Sequence, residues 1–142
     1  MAQHGAEALG LSIVPFVAGA PSDLESIFKQ IAQAKCDALY VLADTFNPKI
    51  SELAAATRIP AIYQYRTFVE DAGGLLSYGP DISAMISLAG DMLDKILKGA
   101  KPSDIPVQQP TAFELVINLR AARALGLTIP ASFLQLANRL VD

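Results

Sequence analysis

Ala38-Leu39-Tyr40-Val41-Leu42-Ala43 is an unbroken apolar run that stops at Asp44, and Asn47-Pro48 follows within a few residues. A strand with apolar side chains on both sides is what a parallel sheet covered by helices requires. Asn47 reads as an N-cap and Pro48 as the first helical position, with Ile50, Leu53, Ala54 and Thr57 recurring at helical spacing behind them. This stretch therefore predicts a strand, a short loop and a capped helix, the repeating unit of an α/β fold.

The same unit recurs on both sides. Upstream, Leu11-Ser12-Ile13-Val14-Pro15-Phe16-Val17 predicts a first strand, and Ser22 with Glu25 has the spacing of a capping box ahead of Leu24, Ile27, Phe28 and Ile31 on one helical face. Downstream, Ala61-Ile62-Tyr63-Gln64-Tyr65 predicts a strand, followed by a helical turn over Thr67–Asp71 and a break at Gly73-Gly74. Leu75-Leu76-Ser77-Tyr78 predicts a further strand, and Gly79-Pro80-Asp81 leads into the longest helix, whose apolar period runs from Ile82 to Leu97 until Gly99 stops it. Residues 101–112, with Pro102, Pro106 and Pro110, describe an extended connection. Phe113–Leu119 predicts another strand, a helix over Arg120–Leu125 closes at Gly126, and Pro130 opens a last helix through Leu140. Four or five strands with intervening helices predict a three-layer α/β/α sandwich with a mostly parallel sheet and right-handed crossovers.

Length and composition bound the function. A chain of 142 residues, 52% hydrophobic and 18% charged, is the size of one domain and too apolar for intrinsic disorder. Eleven Lys+Arg against 14 Asp+Glu leave a net charge of −3, the wrong sign for a protein that neutralises nucleic-acid phosphates. Cys36 is the only cysteine and His4 the only histidine, so neither a disulfide framework, a metal site nor a Cys/His relay is expected. The longest apolar stretch, Leu9–Ala20, is about a dozen residues and is interrupted by Pro15, short of the ~20 that span a bilayer. No secretory leader is read at Met1–Glu7, which lacks a basic segment followed by an apolar one. Ala6, Leu9 and Gly10 read instead as the final turn of a helix that begins upstream.

Ligands of open parallel sheets bind beyond the carboxyl ends of the strands. That rule selects Val17–Ser22, Asp44–Asn47, Tyr65–Phe68 and Tyr78–Asp81. Asp44 either accepts hydrogen bonds from a ligand amine or hydroxyl, or stabilises the loop that follows it. Tyr65 and Arg66 bring a ring and a guanidinium that suit an aromatic group and a carboxylate, although Arg66 also stands at helical spacing from Glu70. Tyr78-Gly79 places a phenol and a backbone N–H near a helix start, with Gly79 equally readable as a turn residue. No dinucleotide-binding, Walker-type or Gly-x-Ser-x-Gly motif occurs, and no enzymatic constellation is expected. A receiver domain would need an acidic pair after its first strand, where Val14–Val17 has none, and a flavodoxin would need hydroxyls in Val17–Ala20.

Together, the segments resemble the substrate-binding proteins of a bacterial ABC-transporter family that includes tryptophan- and tyrosine-uptake members. The likeness is carried by Cys36–Asp44, by Arg58-Ile59-Pro60-Ala61-Ile62-Tyr63 with Arg66–Glu70, by Gly73–Asp81, and by Asp94–Pro102 with Phe113–Leu119. It implies that residues 1–142 are one α/β lobe, the second lobe plus C-terminal tail of a two-lobe type I periplasmic-binding-protein-like solute receptor, with a flavodoxin-like arrangement. It further implies capture of a small solute, an aromatic or other amino acid, for an ABC permease, without a cofactor. Asp44, Thr45, Tyr65, Arg66, Tyr78 and Gly79 take ligand-binding roles on this reading. The location it implies is periplasmic or that of an extracytoplasmic lipoprotein within a full-length binding protein, and cytoplasmic for the chain as written. The alternative is a free-standing interaction module that forms a homodimer through the surface a first lobe would cover.

Overall fold

A computed structural model describes residues 2–42 and 48–142, with side chains from residue 5 onward. The chain forms α1 (Ala2–Ala8), α2 (Leu24–Gln33), β1 (Leu39–Val41), α3 (Pro48–Thr57), β2 (Ala61–Tyr63), α4 (Thr67–Glu70) and β3 (Leu76–Pro80). It continues through α5 (Ile82–Leu97), β4 (Phe113–Asn118), α6 (Leu119–Leu125), α7 (Ala131–Leu134) and β5 (Arg139–Val141). The strands make one sheet in the order β1-β2-β3-β4-β5, parallel throughout except between β3 and β4. The mostly parallel α/β sheet expected from the alternating pattern is present.

Strand register sorts the side chains onto two faces. Leu39, Val41, Ala61, Tyr63, Ser77 and Val116 share one, and this face holds the main core. Phe28 and Ile31 of α2, Ala54 of α3 and Phe68 of α4 close over Ala61 and Tyr63, all of them buried. The Tyr63 and Phe68 rings stack with centroids 4.8 Å apart. Burial pushes the Tyr63 phenol above its ordinary range, an effect that the neighbouring Ser51 hydroxyl opposes. Tyr40, Ile62, Leu76, Tyr78 and Leu115 share the opposite face.

Local signals account for most element ends. Asp81 caps α5 by accepting from the backbone N–H groups of Ser83 and Ala84, and Asn118 caps α6 by accepting from Ala121. Gly126 ends α6 in the left-handed conformation at φ 73°. Before α2 the cap differs from expectation. Asp23 accepts from the N–H groups of Gly19 and Ala20, so its carboxylate supports the turn that the Ser22–Glu25 pair was expected to organise.

Three expectations need correction. Leu11–Val17 forms no strand. Pro15 lacks an N–H, the sheet ends at β1, and Leu11, Ile13, Val14 and Val17 stand exposed while Phe16 alone packs on the core. The run around β1 is not buried on both sides either: Tyr40 is 59% and Leu42 69% exposed, with no cover over that face at β1 among the described residues. The last helix stops at Leu134, and Leu140 lies in β5. Asn138 causes the switch, since its side-chain oxygen accepts from the Leu115 N–H while its own N–H donates to the Leu115 carbonyl, aligning the following residues along β4.

The end of β3 is held by a close approach. A Cβ at position 79 would lie 1.9 Å from the Gln64 carbonyl oxygen, so only glycine lets the chain beyond β2 cross there. Gly79→Ala is expected to destabilise the fold by about 1–3 kcal/mol, read as a lower urea midpoint; an unchanged midpoint would contradict the contact. Because the folded state keeps the Tyr63 proton more tightly, stability associated with that phenol is fully present below its unfolded pKa of about 10 and is lost as pH rises through the raised folded value. Tyr63→Phe should therefore flatten the alkaline fall in stability relative to the parent chain, as followed by urea titrations between neutral and strongly alkaline pH.

Candidate functional site

The carboxyl ends of β1, β2 and β3 lie side by side, since these strands are neighbours and parallel. Asp44, Thr45 and Asn47, which follow β1, lie outside the described residues. The segment after β2 is well defined: Tyr65 packs its ring on the main core, and Arg66 stands at the start of α4, where its carbonyl accepts from the N–H groups of Val69 and Glu70.

Arg66 is the hub of this end of the sheet. Its Nη1 lies 3.4 Å from Glu114 Oε2, its Nε 3.8 Å from Glu70 Oε2, and its Nη2 donates to Ser83 Oγ at 3.3 Å. The other Glu70 oxygen lies 2.9 Å from Arg139 Nη1. Two guanidinium groups and two carboxylates thus alternate across α4, β4 and β5, with the first turn of α5 attached through Ser83. The helical-spacing reading of Arg66 with Glu70 and a carboxylate-binding reading meet in one group, because Arg66 already holds carboxylates while remaining partly accessible.

Strand register explains Glu114. It sits opposite Gly79 in the β3–β4 ladder, on the same side of the sheet as Tyr63 and Ser77. Arg66, Gly79 and Glu114 are therefore brought together. Tyr78 points to the opposite face, where its ring stacks on Phe113 at a centroid distance of 5.8 Å. The described site residues thus divide, with Tyr65, Arg66 and Gly79 on the core side of the strand ends and Tyr78 on the other. Glu114 and Ser83 were missed by the sequence reading; the available signal for Glu114 was a lone carboxylate inside the apolar strand Phe113–Asn118.

The arrangement offers a partly accessible cation flanked by two carboxylates at the strand ends, a set suited to holding a small polar molecule by charge pairing. Among the described residues, no group of three or more His, Cys, Asp or Glu side chains gathers as a metal site. A double-mutant cycle of Arg66→Ala with Glu114→Gln should give a coupling energy of about 1 kcal/mol that shrinks as salt is raised. Strict additivity would show that the two side chains act independently.

The sequence profile described as ABC transporter substrate binding protein matches residues 1–141. No curated protein matches the chain. Among solved structures, the chain is similar to an ABC domain from Streptococcus pneumoniae in complex with L-Trp, with 29% identity and a TM-score of 0.87 over 98% of this chain and 48% of that one. It is also similar to a conserved domain protein from Vibrio cholerae, with 29% identity and a TM-score of 0.85 over 97% of this chain and 47% of that one. A ligand-free, open substrate-binding protein with adhesive properties from Clostridium difficile shares the fold at 24% identity and a TM-score of 0.68, over 99% of this chain and 48% of that one. The chain spans about half the length of each of these structures. With the family profile covering residues 1–141, the chain belongs to the ABC transporter substrate-binding protein family.

Proposed function

We propose that this chain is a non-catalytic solute-binding lobe that captures an amino acid, an aromatic one being the best fit, at the carboxyl ends of β1–β3 for delivery to an ABC permease. The observation that carries this reading is the similarity, over 98% of the chain, to a domain solved with L-Trp. The chemistry at the strand ends supports it. An amino acid presents a carboxylate and an ammonium group on one carbon, and Arg66 between Glu70 and Glu114 offers a partner for each sign. Tyr65 and Gly79 stand on the same side of the strand ends as Arg66, and Tyr78 on the other, and Asp44 and Thr45, which follow β1 in sequence, are read with them as ligand-binding residues.

On this reading the chain works outside the cytoplasm, where a binding protein meets its solute. No helix among the described residues is long and apolar enough to cross a membrane. The solute is held between this lobe and a second one, and 1–142 forms the lobe with residues 101–112 as an extended connection within it.

A lobe that supplies part of the enclosing surface should bind weakly, with Kd of about 1 mM, corresponding to roughly −4 kcal/mol. NMR titration of the chain with L-Trp, L-Tyr, L-Leu and L-Glu is expected to move backbone signals of Tyr65–Phe68 and Tyr78–Asp81 first for the aromatic amino acids. Arg66→Ala should weaken that response at least fivefold. A folded chain that shows no saturable shift with any amino acid would overturn the reading.

A further inference from the structure

The two carboxylates that flank Arg66 are not equivalent. Glu70 sits between two guanidinium groups: its Oε2 lies 3.8 Å from Arg66 Nε, and its Oε1 is buried 2.9 Å from Arg139 Nη1. Glu114 has Arg66 as its sole cationic partner among the described residues, at 3.4 Å. Its side chain is also the less exposed, 15% against 21% for Glu70. Water screens Glu114 less, so an unpaired charge costs more there.

Topology brings this acid to the strand ends from late in the chain. β4 runs against β3, so the beginning of β4 lies at the carboxyl end of β3, and Glu114 stands opposite Gly79. β1, β2 and β3 offer the residues that follow them, whereas β4 offers one near its start.

Two guanidinium groups and two carboxylates leave the cluster neutral. A solute carboxylate that takes hydrogen bonds from Arg66 draws the guanidinium from its acidic partners. Glu70 then keeps Arg139, whereas Glu114 loses its counter-ion. An ammonium group on the same solute fills that deficit and keeps the whole set neutral. A monoanion leaves a net negative charge at a partly buried site, and a monocation a net positive one. An α-amino acid carries both charges on one carbon, and the partners that they need, Glu114 Oε2 and Arg66 Nη1, stand 3.4 Å apart.

We propose that Glu114 is a specificity-determining residue of this lobe: it takes the α-ammonium group of the solute when Arg66 takes the carboxylate, and it restricts the site to zwitterions. The inference rests on the solute-binding reading above and adds to it which acid meets the ammonium group and which solutes are refused. Refusal comes from the charge that a wrong solute leaves unpaired.

NMR titration with L-Trp, indole-3-propionate and tryptamine tests this, because the three present one ring system as zwitterion, monoanion and monocation at neutral pH. The parent chain is expected to bind L-Trp at least fivefold more tightly than either analogue. Glu114→Gln keeps the shape and removes the charge, and should move the analogues in opposite directions. Indole-3-propionate should tighten at least threefold and tryptamine weaken at least threefold, with circular dichroism unchanged. Loss of packing would weaken all three together, so the opposed signs distinguish recognition from a merely structural role. A parent chain that binds indole-3-propionate as tightly as L-Trp overturns the proposal without recourse to a variant. So does a preference for L-Trp that survives in Glu114→Gln, and its loss in Glu70→Gln or Asp44→Asn would then name the acid that meets the ammonium group; in both cases the lobe still binds solute. A folded parent chain that does not bind L-Trp overturns the aromatic solute reading and this proposal with it.

Discussion

The carbonyl oxygen of Gln64 occupies the space where any side chain at position 79 would begin, and much of the architecture depends on that contact. Gly79 lets the chain leaving β2 pass directly over β3. The passage turns Tyr65 onto the core and sets Arg66 at the head of α4, within reach of Glu114, the residue opposite Gly79 in the next strand. A steric constraint at one backbone position is thereby converted into the position of a charge. The same end of β3 leads into α5 and meets the returning chain at Ala112, so the candidate ligand site and α5 share one anchoring point.

The charges at that point are satisfied in the absence of solute. Arg66 and Arg139 alternate with Glu70 and Glu114, which keeps a guanidinium poised at the strand ends without an unpaired ion. A solute bearing both charges can exchange partners within such a cluster, whereas a purely anionic one would have to displace a carboxylate. The cluster also touches the first turn of α5 through the Arg66–Ser83 hydrogen bond.

Much of the fold was legible because apolar period and turn chemistry act locally. Ala61–Tyr63, Leu76–Pro80 and Phe113–Asn118 became strands close to their expected bounds, and Gly99 and Gly126 end helices where their positive φ is needed. Leu11–Val17 has the composition of a strand, but a strand exists only with a neighbour to pair with, and none adjoins it in this sheet. Leu140 has helical spacing from Phe133 and Leu136, yet the two hydrogen bonds of Asn138 to Leu115, 23 residues away, recruit the segment to β4. Of the residues expected at the candidate site, Tyr65, Arg66 and Gly79 share one side of the strand ends, while Glu114 joins Arg66 from a strand far along the chain and Tyr78 turns to the other face because successive strand residues alternate.

Taken alone, the amino-acid sequence determined the α/β class, the glycine breaks after helices, the lack of a cysteine or histidine relay and the strand ends that carry polar groups. These follow from local period, composition and the conformational limits of glycine and proline. Tertiary structure decided which strands pair, that β4 runs against β3, that Arg66 is shared between Glu70 and Glu114, and that no residue of α5 is buried. Each of these depends on contacts between residues distant in the chain, and an apolar stripe records that a surface needs cover without recording what will cover it.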